Sequence, residues 1–228
     1  SVQVPKFQFT PEQKRAMNSL KGHLRIIACP GSGKTEVVSQ RIVRLIEGGT
    51  DPKAIVAFTF TEKAAEELKA RIRSILQERD PKLADFGDMF VGTIHSFCLY
   101  MLKELSPEFR SYDVLTDPTR VALVSKGMNF QRLGLHELKA RDHLKHYRTI
   151  NKFLSSCDIM MIEDIDPRRL SDKKFAACYN EYRKLLIEEK YFDFSSVMHT
   201  LVKEVESDRS KRRFLRERVK HIVVDEYQ

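Results

Sequence analysis

Ala28-Cys29-Pro30-Gly31-Ser32-Gly33-Lys34-Thr35 stands towards one end of the chain, and His221-Ile222-Val223-Val224-Asp225-Glu226-Tyr227-Gln228 stands at the other. Together they imply the two halves of an ATP-hydrolysing site on an α/β fold. A glycine-rich turn ending in Lys-Thr offers backbone N–H groups and an ammonium to phosphates, and a hydroxyl to Mg2+. An apolar run ending in Asp-Glu predicts a buried strand that delivers one carboxylate to the metal and a second to the attacking water. Ala28 occupies the place of the first glycine in the phosphate-loop pattern, while Gly31, Gly33, Lys34 and Thr35 are in register. The exchange removes no phosphate donor.

Working outward, Leu24-Arg25-Ile26-Ile27-Ala28 predicts a short buried strand before the loop. Val38, Ile42, Leu45 and Ile46 then recur at helical spacing up to Gly48-Gly49. Residues 55–60 are β-branched and aromatic, and Thr61 is placed to cap a helix whose inner face carries Ala64, Ala65, Leu68, Ile72, Ile75 and Leu76. Met89-Phe90-Val91-Gly92-Thr93-Ile94 repeats the pattern, with His95-Ser96-Phe97-Cys98 opening a helix. Strand–helix units in succession predict a parallel sheet with ligand loops at the carboxyl ends of its strands.

Lys34 and Asp225 are 191 positions apart (225 − 34), more than a few such units require. Between about residues 106 and 207 the pattern is helical, with polar breaks at Ser106-Pro107, Asp117-Pro118 and Asp166-Pro167 and little strand character. The expected organisation is an ATP-binding domain begun by residues 1–105, a helical insertion over 106–207, and a return to the first domain over 208–228.

A length of 228 residues with 42% hydrophobic composition suits a chain that buries a sizeable core. No apolar run approaches the roughly 18 residues that span a bilayer, and the expectation is an intracellular, cytoplasmic protein. Cys29, Cys98, Cys157 and Cys178 form no C-x-x-C pair, so neither a zinc site nor a disulfide framework is expected. His143 and His146, three apart on an expected helix, lack a third ligand and read as a surface pair. The net charge of +8 permits a polyanionic partner. One dense basic run, Arg209-Ser210-Lys211-Arg212-Arg213 with Arg216, Arg218 and Lys220, reads as a solvated helix face.

Phe9-Thr10-Pro11-Glu12-Gln13, the phosphate loop, Thr59-Phe60-Thr61-Glu62-Lys63-Ala64-Ala65, Gly92-Thr93-Ile94-His95-Ser96-Phe97-Cys98, Tyr191-Phe192-Asp193-Phe194 and Val224-Asp225-Glu226-Tyr227-Gln228 occur in that order. The series resembles the UvrD/Rep group of superfamily 1 DNA helicases. The resemblance implies a RecA-like P-loop NTPase domain with a helical insertion, the first of two motor domains that clamp ATP between them. It implies ATP and Mg2+ as cofactors, single-stranded or partly duplex DNA as partner, and translocation 3′ to 5′. By resemblance Gln13 reads the adenine edge, and Pro30, Gly31, Ser32, Gly33 and Lys34 hold the phosphates. Thr35 and Asp225 serve the metal, Glu226 activates water, and Gln228 contacts the γ-phosphate.

Phe60, Thr61 and His95 match positions that hold single-stranded DNA: an aromatic face stacks on any base, and hydroxyl and imidazole groups reach phosphates. Glu62 stands where the family frequently has asparagine. A second reading is a nucleotide-gated DNA-binding module without helicase activity as it stands. A small-molecule P-loop kinase leaves residues 59–65 and 92–98 unexplained.

Overall fold

The computed structural model describes residues 8–29, 31–83, 85, 87 and 89–225. It divides into two compact units, Ser1–Phe97 with Arg213–Gln228, and Cys98–Arg212. Pro30, Glu226 and Gln228 lie outside the described residues.

The first unit is built on three parallel strands. Helix α1 (Pro11–Asn18) starts from a capping box in which Thr10 and Gln13 each satisfy the other's backbone N–H. Helix α2 (Lys34–Glu47) follows the glycine turn. Strand β1 (Ile55–Phe58), α3 (Glu62–Arg79), β2 (Phe90–Gly92) and α4 (Ile94–Leu105) come next, and the unit ends with α11 (Arg209–Arg218) and β5 (His221–Val224). The strand order is β2-β1-β5. Phe58 stands opposite both Gly92 and Val224, so all three carboxyl ends reach one edge. The apolar stripe of α2 (Val38, Ile42, Leu45, Ile46) and that of α3 (Ala65, Leu68, Ile72, Leu76) bury against Ile55, Ala57 and Val91. Helical and period-two patterning thus meet in one core.

Two expectations fail here. Residues 24–28 form no strand, and Ile27 is 84% exposed. Apolar β-branched composition gives a strand only when a ladder is formed, and residues 24–28 pair with none of the described strands, which leaves β5 at the edge of the order β2-β1-β5. The other failure concerns β5, which forms and pairs with β1 but is not buried: Ile222 is 61% exposed and only Val223 packs towards the core. An edge strand carries a ladder on one side alone.

The second unit contains the rest of α4 and α11, together with β3 (Asp113–Val114), α5 (Asp117–Ser125), α6 (Gly127–Arg132), α7 (Leu135–Asp142), α8 (His146–Ile162), α9 (Lys173–Glu188), β4 (Tyr191–Phe192) and α10 (Phe194–Ser207). Leu135, Ile150, Cys157, Tyr182 and Leu185 lie at its apolar centre. β3 and β4 pair in parallel over two residues each, too short a run for any period to register in sequence. His143 and His146 do not share a helix: His143 ends α7 with a positive φ of 51°, and His146 opens α8 with its ring 4.3 Å from that of Phe130.

Inside this unit Arg120, 5% exposed, sits in a closed polar network. Its guanidinium donates to the Tyr182 hydroxyl (2.8 Å), Asp158 (3.0 Å) and the Leu154 carbonyl (3.2 Å), and lies 3.1 Å from Asp193. Tyr182 donates to Asp193 at 2.6 Å, and Asp193 caps α10 by accepting from Ser196 N–H at 2.7 Å. Burial pushes the Tyr182 hydroxyl well above its ordinary value. Among the described residues no helix is long and apolar enough to cross a membrane.

Candidate nucleotide-binding site

The phosphate loop closes on itself through Ser32 N–H, which donates to the Cys29 carbonyl at 3.2 Å. Gly31 and Gly33 have φ of 76° and 80°, a left-handed conformation that a side chain would strain. Gly33 is the residue that turns the chain into α2, so the first-turn N–H groups of a 14-residue helix open at the loop. That end attracts anions through both its unpaired donors and its dipole.

Lys34 Nζ donates to the carbonyls of Ala28 (3.3 Å) and Cys29 (3.4 Å). These bonds are long, and a phosphate oxygen is a stronger acceptor for an ammonium than a neutral carbonyl. Gln13 Nε2 donates to the Ser32 carbonyl at 2.9 Å while its Oε1 serves the capping box. The glutamine thereby fastens α1 to the loop. Arg41, from α2, donates to the carbonyls of Ala16 and Ser19 and holds the other end of α1.

Across the sheet, Asp225 N–H donates to the Phe58 carbonyl at 2.9 Å, carrying the β5 ladder one residue past the strand. Its carboxylate then meets the first turn of α2, where Thr35 Oγ1 donates to Asp225 Oδ2 at 3.3 Å. Hydroxyl and carboxylate oxygens are donors that Mg2+ accepts, and Mg2+ is ordinarily held by one or two such groups with waters and substrate phosphates completing its shell. The residues present fit Mg2+ with a nucleotide. Pro30, Glu226 and Gln228 have no described placement.

The strand-end edge beside this site carries the other expected residues. Phe60 is 83% exposed, so it is no core aromatic; Phe58, two positions earlier, points inward and meets Phe97 edge-on at 5.3 Å. Thr61 caps α3, its hydroxyl accepting from Ala64 N–H at 3.1 Å. His95 is half-buried in the first turn of α4, and burial holds its imidazole below the ordinary histidine range. The β1 and β2 ends are tied together by Thr59 N–H to the Gly92 carbonyl (3.0 Å) and by Thr93 Oγ1 to Glu62 Oε1 (3.3 Å).

Sequence reasoning passed over two of these supports. A Cβ at Gly92 would come within 2.9 Å of Ser96 Oγ and 3.0 Å of the Phe90 ring, so a larger residue there would displace one of these side chains. Thr93 caps α4 by accepting from Ser96 N–H at 3.2 Å. A threonine three residues before a serine, ahead of an apolar run, was the available signal.

The sequence model of the UvrD/REP helicase N-terminal domain matches residues 9–228. The chain is 29% identical over 226 residues to the ATP-dependent DNA helicase PcrA of Bacillus subtilis, covering 96% of this chain and 29% of that protein. It is 26% identical over 228 residues to the ATP-dependent DNA helicase Rep of Buchnera aphidicola, covering 96% and 32%. Identity to the ATP-dependent DNA helicase UvrD1 of Mycobacterium bovis is 29% over 231 residues, covering 96% and 28%. The chain thus spans about three-tenths of the length of these relatives. By the extent of the family match, the chain belongs to the UvrD/REP helicase N-terminal domain family.

Proposed function

We propose that this chain binds Mg2+-ATP as the first motor domain of an ATP-dependent DNA helicase that translocates 3′ to 5′ on single-stranded DNA in the cytoplasm. The observation that carries the reading is the meeting of Thr35 and Asp225 at 3.3 Å, 190 residues apart, at the helix end that follows the phosphate loop. The ATP-binding part comprises residues 1–105 and 208–228, and residues 106–207 form the helical insertion. Mg2+, when bound, supplies charge neutralisation between the phosphates.

The chain's own groups divide the work. Gly31, Ser32, Gly33 and the α2 N-terminus cradle phosphate oxygens, with Pro30 in the same loop, and Lys34 releases two carbonyls to take them. Thr35 and Asp225 hold the metal's position. Glu226, next along from Asp225, accepts the proton of the attacking water, and Gln228 orients the terminal phosphate. Gln13, already fixed to the loop, presents its amide to the adenine edge. Phe60 stacks on a base while Thr61 and His95 face the DNA backbone.

A second motor domain of the same protein completes the transition state with cations, a contribution worth roughly 10³ to 10⁵ in rate. Residues 1–228 alone therefore bind nucleotide and single-stranded DNA weakly and do not unwind duplex. A DNA-stimulated ATPase assay on the longer protein, beside a strand-displacement assay on residues 1–228, tests the reading. ATP turnover stimulated by single-stranded DNA in the longer protein is expected. Turnover indifferent to DNA sinks the helicase reading, and robust unwinding by residues 1–228 alone sinks the half-motor reading in favour of a self-sufficient one.

A further inference from the structure

The ten residues of α11, RSKRRFLRER, hold six cations and one carboxylate. At 100° per residue Arg213 and Arg216 share one face, and Lys220 follows two residues past the helix end. All three side chains are exposed, while Leu215 and Arg218 on the opposite side are half-buried. Arg213 pairs with Glu217 at 2.8 Å in an exposed i, i+4 contact of the kind that salt screens and a phosphate displaces. Among the described residues neither Arg216 nor Lys220 lies within 4 Å of a carboxylate. Some exposed arginines elsewhere are paired, Arg132 with Glu181 and Glu188 and Arg141 with Asp142 and Asp172.

Lys220, which follows α11, lies at the opposite end of the sheet from the nucleotide site. Lys220 N–H donates to the Ala54 carbonyl, ahead of β1, whereas Asp225 follows β5 at the carboxyl edge. Four residues of strand at ~3.3 Å each separate the two ends by about 13 Å. At ~1.5 Å per residue Arg213 and Arg216 stand about 4.5 Å apart along the helix axis, of the order of the ~3.4 Å spacing of phosphates on one strand of a duplex. No aromatic shares the face, since Phe214 lies about 100° away from Arg213. A cationic stripe without a stacking platform suits an ordered phosphate backbone more than unpaired bases.

We propose that Arg213, Arg216 and Lys220 form a docking surface for the phosphate backbone of duplex DNA, separate from the strand-end site. The proposal rests on the DNA reading above. It is tested by titrating residues 1–228, and the variant R213Q/R216Q/K220Q, with a hairpin duplex and with a short single strand over a series of salt concentrations. Glutamine keeps helix propensity, and thermal melting of both proteins checks the fold.

For the duplex, log affinity against log salt should flatten by about 0.9 per cation removed, while single-strand affinity holds. R213K/R216K should retain the wild-type slope, which separates loss of charge from loss of shape. An unchanged duplex slope in the triple variant overturns the docking surface and leaves an acidic protein partner as the occupant to seek. Equal loss on duplex and single strand also overturns it. If wild-type residues 1–228 bind neither DNA, the functional reading itself fails, an outcome distinct from the other two.

Discussion

The Thr35–Asp225 edge of the first unit and the Arg120–Asp193 network of the second both join residues far apart in sequence through polar groups, but they are built differently. Around Arg120 the partners Tyr182 and Asp193 are buried, Asp158 is half-buried, and the bonds are short, the Tyr182–Asp193 contact being 2.6 Å. Around Lys34 and Thr35 the contacts are 3.3 to 3.4 Å, the groups are partly open to water, and the lysine rests on carbonyls. A closed network has no capacity left for a ligand and serves the fold. A loose one keeps its donors exchangeable, which is what a phosphate site needs.

The contrast is broken most forcefully by Arg120→Ala. Removing one partner of a buried ion pair leaves Asp193 uncompensated, so stability of the second unit should fall by about 3 to 5 kcal/mol. Urea or thermal unfolding followed by circular dichroism measures this, and a loss under about 1 kcal/mol would show that the network is not closed as described. The same measurement on Lys34→Ala should show little change, because its two bonds are long and exposed.

Glu226→Gln addresses function instead of fold. In the longer protein it should preserve nucleotide affinity and slow turnover by about two orders of magnitude, the usual worth of a positioned base. Equal loss of binding and turnover would move Glu226 to the metal or to structure.

Thr10→Ala has a smaller effect and tests how the open site is propped. Losing a capping box costs about 1 kcal/mol of local stability. Since Gln13 bridges that box and the Ser32 carbonyl, nucleotide affinity should weaken with it. Unchanged affinity would mean that Gln13 holds its place without the cap.

Thiol labelling is the mildest probe. Burial pushes Cys98 up to about 11 and raises Cys157 and Cys178, lowering their thiolate fractions, while Cys29 is exposed in the phosphate loop. Near pH 8 one thiol should react quickly and three slowly, and Mg2+-nucleotide should slow the fast one. Several fast thiols would contradict the burial described.

What was legible in the sequence follows the same division. The glycine turn at Gly31 and Gly33 and the start of α2 were readable because their signals lie in adjacent residues, and the capping role of Thr61 is a local matter too. Residues 24–28 and the expected burial of β5 misled because apolar composition reports an appetite for a ladder, not the presence of a neighbour. The place of Gln13 came from resemblance alone; its bond to Ser32 spans 19 residues of otherwise unremarkable sequence. Arg120 and Asp193 were illegible as a pair, since two charges 73 positions apart (193 − 120) carry no sign that they share a buried site.

The central claim is that the loop at Lys34 and the strand end at Asp225 form one Mg2+-nucleotide site. Isothermal titration of residues 1–228 with a non-hydrolysable ATP analogue, with Mg2+ and with EDTA, tests it most directly when run beside Lys34→Ala and Asp225→Asn. The account predicts weak binding that Mg2+ strengthens, abolition of binding in Lys34→Ala, and loss of the Mg2+ enhancement alone in Asp225→Asn. Binding by Lys34→Ala as tight as wild type, or a Mg2+ enhancement that survives Asp225→Asn, would contradict it.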